Sequence, residues 1–191
     1  MSVLLALALV AADPATSEPA APPPESAAQE EPGAVDWAKE FGVAKKVPDP
    51  VTGELPVDPY TQAPANSGAT PFAGARMAEA FGGQAGIRRI VGRFVDLNIA
   101  DPRIADIFKN HDMIRLRRTL FEQFCYLLDA GCTYSGRDMK SSHKGLGVTR
   151  GNMNALVENL QRAMRESKVP FAAQNRLLAK LAPMDKDVVE R

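Results

Sequence analysis

The sequence predicts an all-α domain over residues 76–191, preceded by a disordered arm. Twelve of the 15 prolines lie at or before Pro71, and the remainder of the chain holds only three. From residue 76 onwards, apolar residues recur at helical spacing, and no alternating pattern of useful length suggests a strand. About 115 residues suffice for one hydrophobic core, so we expect a single domain.

The charges divide at the same boundary. Residues 1–75 carry three basic and ten acidic residues, a balance of −7, whereas residues 76–191 carry twenty basic and thirteen acidic residues, a balance of +7. The neutral chain therefore joins an acidic arm to a basic domain, and the two should attract each other weakly. Its basic residues are scattered along the helical segments rather than clustered with aromatic residues, so we expect no nucleic-acid partner.

The chain opens with an apolar run of ten residues from Val3 to Ala12. This run is too short to span a bilayer, so we expect no transmembrane anchor. It resembles the h-region of a secretory signal peptide with a small-residue cleavage site, although no Lys or Arg precedes it. We therefore expect residues 1–12 to direct export to the periplasm or the extracellular space. The alternative is an apolar N-terminus on the disordered arm of a cytoplasmic protein.

Residues 13–75 are expected to form a Pro-rich linker that is largely disordered. Residues 13–35 are rich in Pro, Ala and Glu and contain almost nothing to bury. Residues 36–75 contain isolated apolar residues such as Trp37 and Tyr60, but prolines and glycines interrupt every run. We expect a linker here too, and the alternative is a short segment docked on the domain.

Two helices are predicted at the start of the domain. The first, Met77–Phe81, is short and stops at Gly82-Gly83. The second is predicted over Gln84–Asn98. Its apolar residues near helical spacing are Ile87, Ile90, Val91, Phe94, Val95 and Leu97.

A short helix and a long helix are predicted next. Pro102 suits the first turn of the short helix, which carries Ile104, Ile107 and Phe108. Asp112 is the predicted N-cap of the long helix, which starts at Met113 and ends at Gly131. The apolar stripe of the long helix consists of Leu116, Leu120, Phe124, Leu127 and Leu128. Two further helices, Asn152–Ser167 and Phe171–Leu181, complete the domain.

The two cysteines, Cys125 and Cys132, flank the end of the long helix. A chain that folds back after a helix end can bring such a pair within the roughly 5.5–6 Å Cα separation that a disulfide requires. Export would favour this bridge. The alternative is two buried, reduced cysteines.

The stretch Tyr134–Thr149, Y-S-G-R-D-M-K-S-S-H-K-G-L-G-V-T, contains the strongest candidate for chemistry. His143 is one of only two histidines in the chain and lies between glycines. One or two helical turns over Asp138–Lys144 would place Met139 and His143 on one face. No second His, Cys or carboxylate lies at the spacing of a zinc site, so a metal at His143 would need a cofactor that brings further ligands. The alternative is a surface or capping histidine.

This stretch resembles the proximal segment of the group I truncated haemoglobins, small globins with a two-over-two helical fold. Their pattern Y-x-G, M-K-x-x-H, G-L-G-I-T is matched by Tyr134, Gly136, Met139, Lys140, His143, Gly145, Leu146, Gly147, Val148 and Thr149. The similarity extends over roughly residues 76–191, with F-G-G-Q-A-G-I at 81–87, I-A-D-P-R-I at 99–104, I-F-K-N at 107–110 and D-M-I-R-L at 112–116. It implies the truncated globin fold, a haem b cofactor and His143 as the proximal ligand of the iron.

The resemblance also implies which residues surround the haem. Phe108 corresponds to the family's phenylalanine against the haem face, and Val95, Leu116 and Leu120 correspond to positions around the sixth coordination site. The other expected pocket residues are Phe94, Met113, Phe124, Met139 and Leu146. The expected partners of the haem propionates are Arg117, Arg118 and Lys140.

The chain departs from the family on the distal side. Many members carry Tyr at the position of Val95 and Gln at that of Leu120, and these polar groups donate hydrogen bonds to bound oxygen. The substitutions therefore predict an apolar distal wall. Gln123 is a candidate replacement donor, although we expect it to be exposed. We expect His111, just before the long helix, to face solvent or cap that helix.

The resemblance implies a haem protein that reversibly binds a diatomic gas, namely O2, CO or NO. One alternative is an enzyme with nitric oxide dioxygenase or peroxidase-like activity. The apolar wall disfavours the first, and no distal acid or base is evident for the second. Another alternative is a globin-fold sensory or interaction module. The sequence shows no reductase domain, so reduction of the iron would require an unidentified reductase.

Overall fold

A computed structural model of the chain describes residues 46–191, and this part contains eight α-helices, two short 3-10 helices and no strand. The predicted all-α class is therefore confirmed. No helix in this range is long and apolar enough to cross a membrane. The expected signal peptide at residues 1–12 and the expected disorder of residues 13–35 lie outside the described residues.

The first four helices follow the predicted order. They are α1 (Arg76–Ala80), α2 (Gly83–Ala100), α3 (Ala105–Phe108) and α4 (Met113–Leu127). Asp112 caps α4 as predicted, because its side chain accepts a hydrogen bond from the main-chain nitrogen of Arg115. The helix ends before the predicted Gly131, since Asp129 already adopts a left-handed φ of 57°.

Four more helices complete the domain: α5 (Met139–His143), α6 (Arg150–Glu166), α7 (Phe171–Leu181) and α8 (Asp185–Val188). Asp138 caps α5 through the main-chain nitrogen of Ser141. Thr149 and Asn152 form a capping box at the start of α6, two residues before the predicted start. The sequence did not predict α8, which is too short for its periodicity to be recognised.

The core lies where α2 packs against both α4 and α6, and α7 packs against α6. The most deeply buried side chains of α2 are Ile87, Ile90, Val91, Phe94 and Val95. On the facing helices, Phe124, Leu160 and Met164 are also buried. Two helix pairs stacked in this way form the expected two-over-two arrangement, and they leave α3 and α5 to border a cavity.

The prediction that the linker extends to residue 75 needs correction. Residues 46–75, which we call the strap, belong to the same compact unit as the helices. The strap is anchored by polar contacts rather than by an apolar stripe. The main-chain nitrogen of Phe72 donates to the carbonyl of Leu127 at 2.8 Å, and Ser67 is completely buried. Such contacts join distant parts of the chain, so local sequence pattern does not reveal them.

Candidate functional site

A cavity of about 530 Å³ is bordered by α3, α4, α5 and the start of α6. Its apolar lining includes half-buried side chains from each of these elements, namely Ile107, Phe108, Leu116, Leu120, Met139, Leu146, Met153 and Leu156. An apolar ligand in this cavity would remove the partly exposed apolar surface from water, which lowers the free energy. The volume lies within the range of small-molecule and cofactor sites.

His143 contributes the imidazole of this cavity, at the C-terminal end of α5. Its Nδ1 atom lies 2.7 Å from the carbonyl oxygen of Met139. A carbonyl can only accept, so Nδ1 must carry the hydrogen, and the neutral ring then has its lone pair on Nε2. Within residues 46–191, Nε2 has no hydrogen-bond partner. A fixed ring with one free nitrogen is the usual state of a metal-binding histidine.

The turn before α5 is held by Tyr134 and Gly136, the first two residues of the recognised motif. The hydroxyl of Tyr134 donates to the carbonyl of Arg137 at 2.9 Å, and burial raises the pKa of this phenol to about 12. A Cβ atom at Gly136 would lie only 2.2 Å from the same hydroxyl oxygen. Glycine is therefore required for the chain to pass over the tyrosine and begin α5 in this position.

The opposite side of the cavity is formed by α4. Leu116 and Leu120 lie one turn apart on this helix and both line the cavity, together with Thr119. The hydroxyl of Thr119 donates to the carbonyl of Arg115 at 3.0 Å, so it is engaged with the helix backbone. Phe108 of α3 also lines the cavity.

Four residues expected at the cofactor belong to the hydrophobic core or pack against it, and they are not among the residues that line the cavity. Val95 is completely buried, and the rings of Phe94 and Phe124 stack with their centroids 6.4 Å apart. Met113 packs against the same core, and none of the four lines the cavity. Helical periodicity marks an apolar stripe but does not show whether its neighbour is another helix or a ligand.

The three expected propionate partners also do not line the cavity. Arg117 pairs with Asp96 at 2.5 Å, and Lys140 is exposed on α5. Arg118 bonds to Glu54 of the strap and to Glu122, and both bonds raise the pKa of its guanidinium. The cations that line the cavity are Lys46, Arg115 and Arg137.

The expected exposure of Gln123 is wrong. This residue is 5% exposed and lines the cavity, and its amide nitrogen donates to the carbonyl of Ser67 at 2.9 Å. That hydrogen bond ties α4 to the strap. His111 is exposed, as expected, and also lines the cavity, while Asp112 takes the capping role.

Sequence reasoning missed the strap's contribution to the cavity. Leu55, Val57 and Tyr60 line it together with the helices. The one signal in the sequence is Tyr60, an isolated aromatic residue among prolines and glycines. Nothing in the local pattern indicated where it would dock.

The structure brings Cys125 and Cys132 together beyond the end of α4. Their Cα atoms are 5.5 Å apart, a separation that a disulfide spans, and Cys125 is completely buried. The disulfide itself stays a prediction.

The polar groups of the cavity do not form a metal site by themselves. Within the described range, no group of three or more His, Cys, Asp or Glu side chains could hold a metal ion. A metal bound by His143 would therefore receive its remaining ligands from a cofactor. An apolar cavity with one oriented imidazole fits the requirements of a haem, whose ring supplies four nitrogen ligands and needs apolar walls.

A two-over-two helical fold with one oriented histidine beside an apolar cavity defines the class of small haem-binding globins. Three comparisons agree with this class. The family model for bacterial-like globins matches residues 77–190. A group 1 truncated hemoglobin of Tetrahymena thermophila is 31% identical over 88 residues, which cover 46% of this chain and 73% of the relative.

The relative from Tetrahymena pyriformis, also a group 1 truncated hemoglobin, is 28% identical over 111 residues, or 58% of this chain and 92% of the relative. The crystal structure of this organism's truncated hemoglobin in the Fe(III) form is similar with a TM-score of 0.58 and 27% identity, and the match covers 60% of this chain and 98% of that chain. The chain belongs to the bacterial-like globins, and within them to the group 1 truncated hemoglobins. Membership supports a globin's haem-binding role.

Proposed function

We propose that the chain binds one haem b through His143 and reversibly binds a diatomic gas, O2, CO or NO, at the iron. The observation that carries this proposal is the orientation of the His143 ring. Nδ1 is engaged by the Met139 carbonyl at 2.7 Å, and the ring lines a cavity that is otherwise mostly apolar. The remaining nitrogen, Nε2, is thereby the ligand available to the iron.

The side chains around the cavity have separate roles in this proposal. Met139 fixes the tautomer and the rotation of the imidazole through its carbonyl oxygen. Phe108 and Leu146 supply apolar surface for the porphyrin and exclude water. When bound, the haem supplies an iron atom whose sixth position accepts the gas.

Leu116 and Leu120 favour gases that need no hydrogen bond from the protein. An oxygen ligand would carry partial negative charge, and a hydrogen bond from the protein to such a group would be worth about 1.5–3 kcal/mol. Neither leucine can donate one. The hydroxyl of Thr119 and the amide of Gln123 lie nearby but already donate to main-chain carbonyls. We therefore expect oxygen to be held loosely, while carbon monoxide depends less on such a donor.

Absorption spectra of the purified full chain in the ferric, ferrous and carbon monoxide-bound states test this proposal. A pentacoordinate ferrous spectrum that changes to a six-coordinate form with carbon monoxide would support histidine ligation and an open sixth position. A chain that takes up no haem from a stoichiometric haemin solution would overturn the proposal.

A further inference from the structure

We propose that the strap, residues 46–75, is an additional wall of the haem cavity and slows the loss of the haem. This inference rests on the proposed function. The strap lies outside residues 77–190, which match the family, so nothing in the globin comparison assigns it a role. Even so, the segment from Leu55 to Tyr60 supplies five residues to the cavity lining, namely Leu55, Pro56, Val57, Asp58 and Tyr60.

The strap is fixed to α4 at Leu55. The main-chain nitrogen of Leu55 donates to Oδ2 of Asp112 at 2.7 Å, and its carbonyl accepts from Nη2 of Arg115 at 2.6 Å. Both main-chain groups of one residue are therefore held by side chains from the start of α4. The side chain of Leu55 is half-buried and lines the cavity, so these two bonds hold an apolar group against it.

Glu54 reinforces this attachment as a buried charge. Glu54 is only 6% exposed. Its carboxylate pairs with Arg115 at 3.0 Å and with Nη2 of Arg118 at 3.0 Å. The hydrogen bonds from Arg118 are the largest cause of the lowered pKa of Glu54. Removal of the carboxylate would leave two arginines of α4 without their shared partner, and broken buried ion pairs are strongly destabilising.

The strap is also fixed to the segment that leads into α5. The hydroxyl of Tyr60 donates to the carbonyl of Ser135 at 2.7 Å, and Nη2 of Arg137 donates to the carbonyl of Asp58 at 2.6 Å. The amide of Asn66 adds a bond to the carbonyl of Gly136 at 3.1 Å. Residues 135–137 immediately precede the helix that carries His143.

These contacts join the two sides of the cavity through the strap. One end of the Leu55–Tyr60 segment is held by α4, which carries Leu116 and Leu120, and the other end is held beside α5, which carries His143. A haem seated between these helices would contact the strap. To leave the cavity, the haem would have to break its contacts with the strap. The rate of haem loss should therefore depend on residues that the globin domain alone does not contain.

The first arm of the test changes the wall without changing its attachments. Leu55→Ala combined with Val57→Ala in the full-length holoprotein removes apolar surface that lines the cavity. We expect transfer of haem to excess apomyoglobin to accelerate about tenfold. Val51→Ala is the matched control, because Val51 belongs to the strap but is 91% exposed and does not line the cavity.

The second arm changes the attachment. Glu54→Gln keeps the size of the side chain and removes its charge, and we expect faster haem transfer together with faster hydrogen exchange at the Leu55 amide. Asp96→Asn is the control, since it removes a carboxylate partner from Arg117, another arginine of α4, without touching the strap. Neither control should change the rate of transfer.

The outcomes separate this inference from the proposed function. If the wild-type chain binds haem, and transfer is equally fast from wild type, the Leu55/Val57 double variant and Glu54→Gln, the strap is not a wall of the site. If the wild-type chain binds no haem, the proposed function fails and this inference fails with it. Should a variant fold poorly, hydrogen exchange of the wild-type strap decides: exchange that is equally fast with and without haem overturns the inference, and slower exchange with haem supports it.

Discussion

The carboxylate of Glu190 lies 2.6 Å from the main-chain nitrogen of Gly145, two residues after His143. Its other oxygen accepts from the nitrogen of Gly147 at 2.7 Å, and these two bonds are the largest causes of the lowered pKa of Glu190. Both glycines have left-handed φ angles, 78° and 64°, so the turn is tight. Glu190 thereby holds the turn that follows α5, the helix that ends at His143.

Replacement of this carboxylate should loosen the proximal side of the site. Glu190→Ala leaves two N–H groups of the turn without their acceptor, so we expect the iron–histidine stretching band of the ferrous protein to shift or broaden. Haem loss should accelerate about two- to fivefold, because exposed hydrogen bonds are individually weak. Glu79→Ala, the same change at an exposed glutamate of α1, is the control. An unchanged Raman band in Glu190→Ala would show that the turn does not position the imidazole.

His143→Ala should abolish stable haem binding. The variant removes the imidazole that lines the cavity with its Nδ1 held by the Met139 carbonyl and its Nε2 free. No other imidazole in the described residues is held in this way. External imidazole should restore a ligated ferrous spectrum by occupying the space that the side chain leaves. His111→Ala, at the only other histidine of the chain, should keep the wild-type spectrum. If His111→Ala lost its haem and His143→Ala kept the wild-type spectrum, the iron ligand would be His111.

The charge of Glu54 should stabilise the fold in a pH-dependent way. Its pKa is lowered from the ordinary value of 4.5, chiefly by the hydrogen bonds from Arg118. A carboxylate whose pKa is lowered on folding contributes stability that is complete above the unfolded pKa and is lost as pH falls through the folded pKa. The free energy of unfolding of wild type should therefore exceed that of Glu54→Gln at neutral pH, and the difference should shrink below pH 4.5. A difference that is constant from neutral pH to the acid limit would contradict this linkage.

The sequence predicted the longer helices well because each has a local signal. Apolar spacing indicated α2, α4, α6 and α7, and Asp112 indicated where α4 begins. The division between core and cavity could not be predicted in the same way. Val95 and Leu120 lie in similar apolar stripes, but Val95 packs within the core and Leu120 lines the cavity. The difference depends on how the helices pack, and the periodicity of one helix contains no such information.

The strap shows a second limit of sequence reasoning. Leu55 is positioned by Asp112 and Arg115, which are 57 and 60 residues away in the chain. The prolines and glycines around Leu55 suggested a linker, because they disfavour long helices and strands. They do not rule out a defined path, which here is set by hydrogen bonds to main-chain groups.

The cysteine pair should form a disulfide in protein exposed to an oxidising compartment. Closure of such a short loop would contribute about 2–3 kcal/mol by the chain-entropy estimate. Cys132→Ser changes the half-buried partner and spares the fully buried Cys125, so the variant should lose about this much unfolding free energy. A reductant should destabilise wild type and leave the variant unchanged. Intact mass after alkylation that shows two free thiols, in protein from its native compartment, would count against both the bridge and export.

Restoring a distal donor should slow oxygen dissociation. Leu120 lines the cavity on α4, so Leu120→Gln would place an amide where bound oxygen carries partial negative charge, and a bond of about 1.5–3 kcal/mol corresponds to about ten- to a hundredfold in rate. Carbon monoxide release should change much less. Val95 is not a suitable position for this test. It is fully buried in the core, and the ring of a tyrosine introduced there would overpack the core.

Leu120→Met is the control for this experiment, because methionine conserves the volume and supplies no donor. Oxygen should dissociate from it as fast as from wild type, and autoxidation should stay fast in both. If wild type already releases oxygen as slowly as Leu120→Gln, then another side chain donates to the ligand. Gln123 is the first candidate, since its amide lines the cavity and, to turn, would exchange its bond to the Ser67 carbonyl and its weaker contacts with the sulfur atoms of Met139 and Met184. Gln123→Leu would then accelerate oxygen release, whereas a distal wall without a donor predicts no such change.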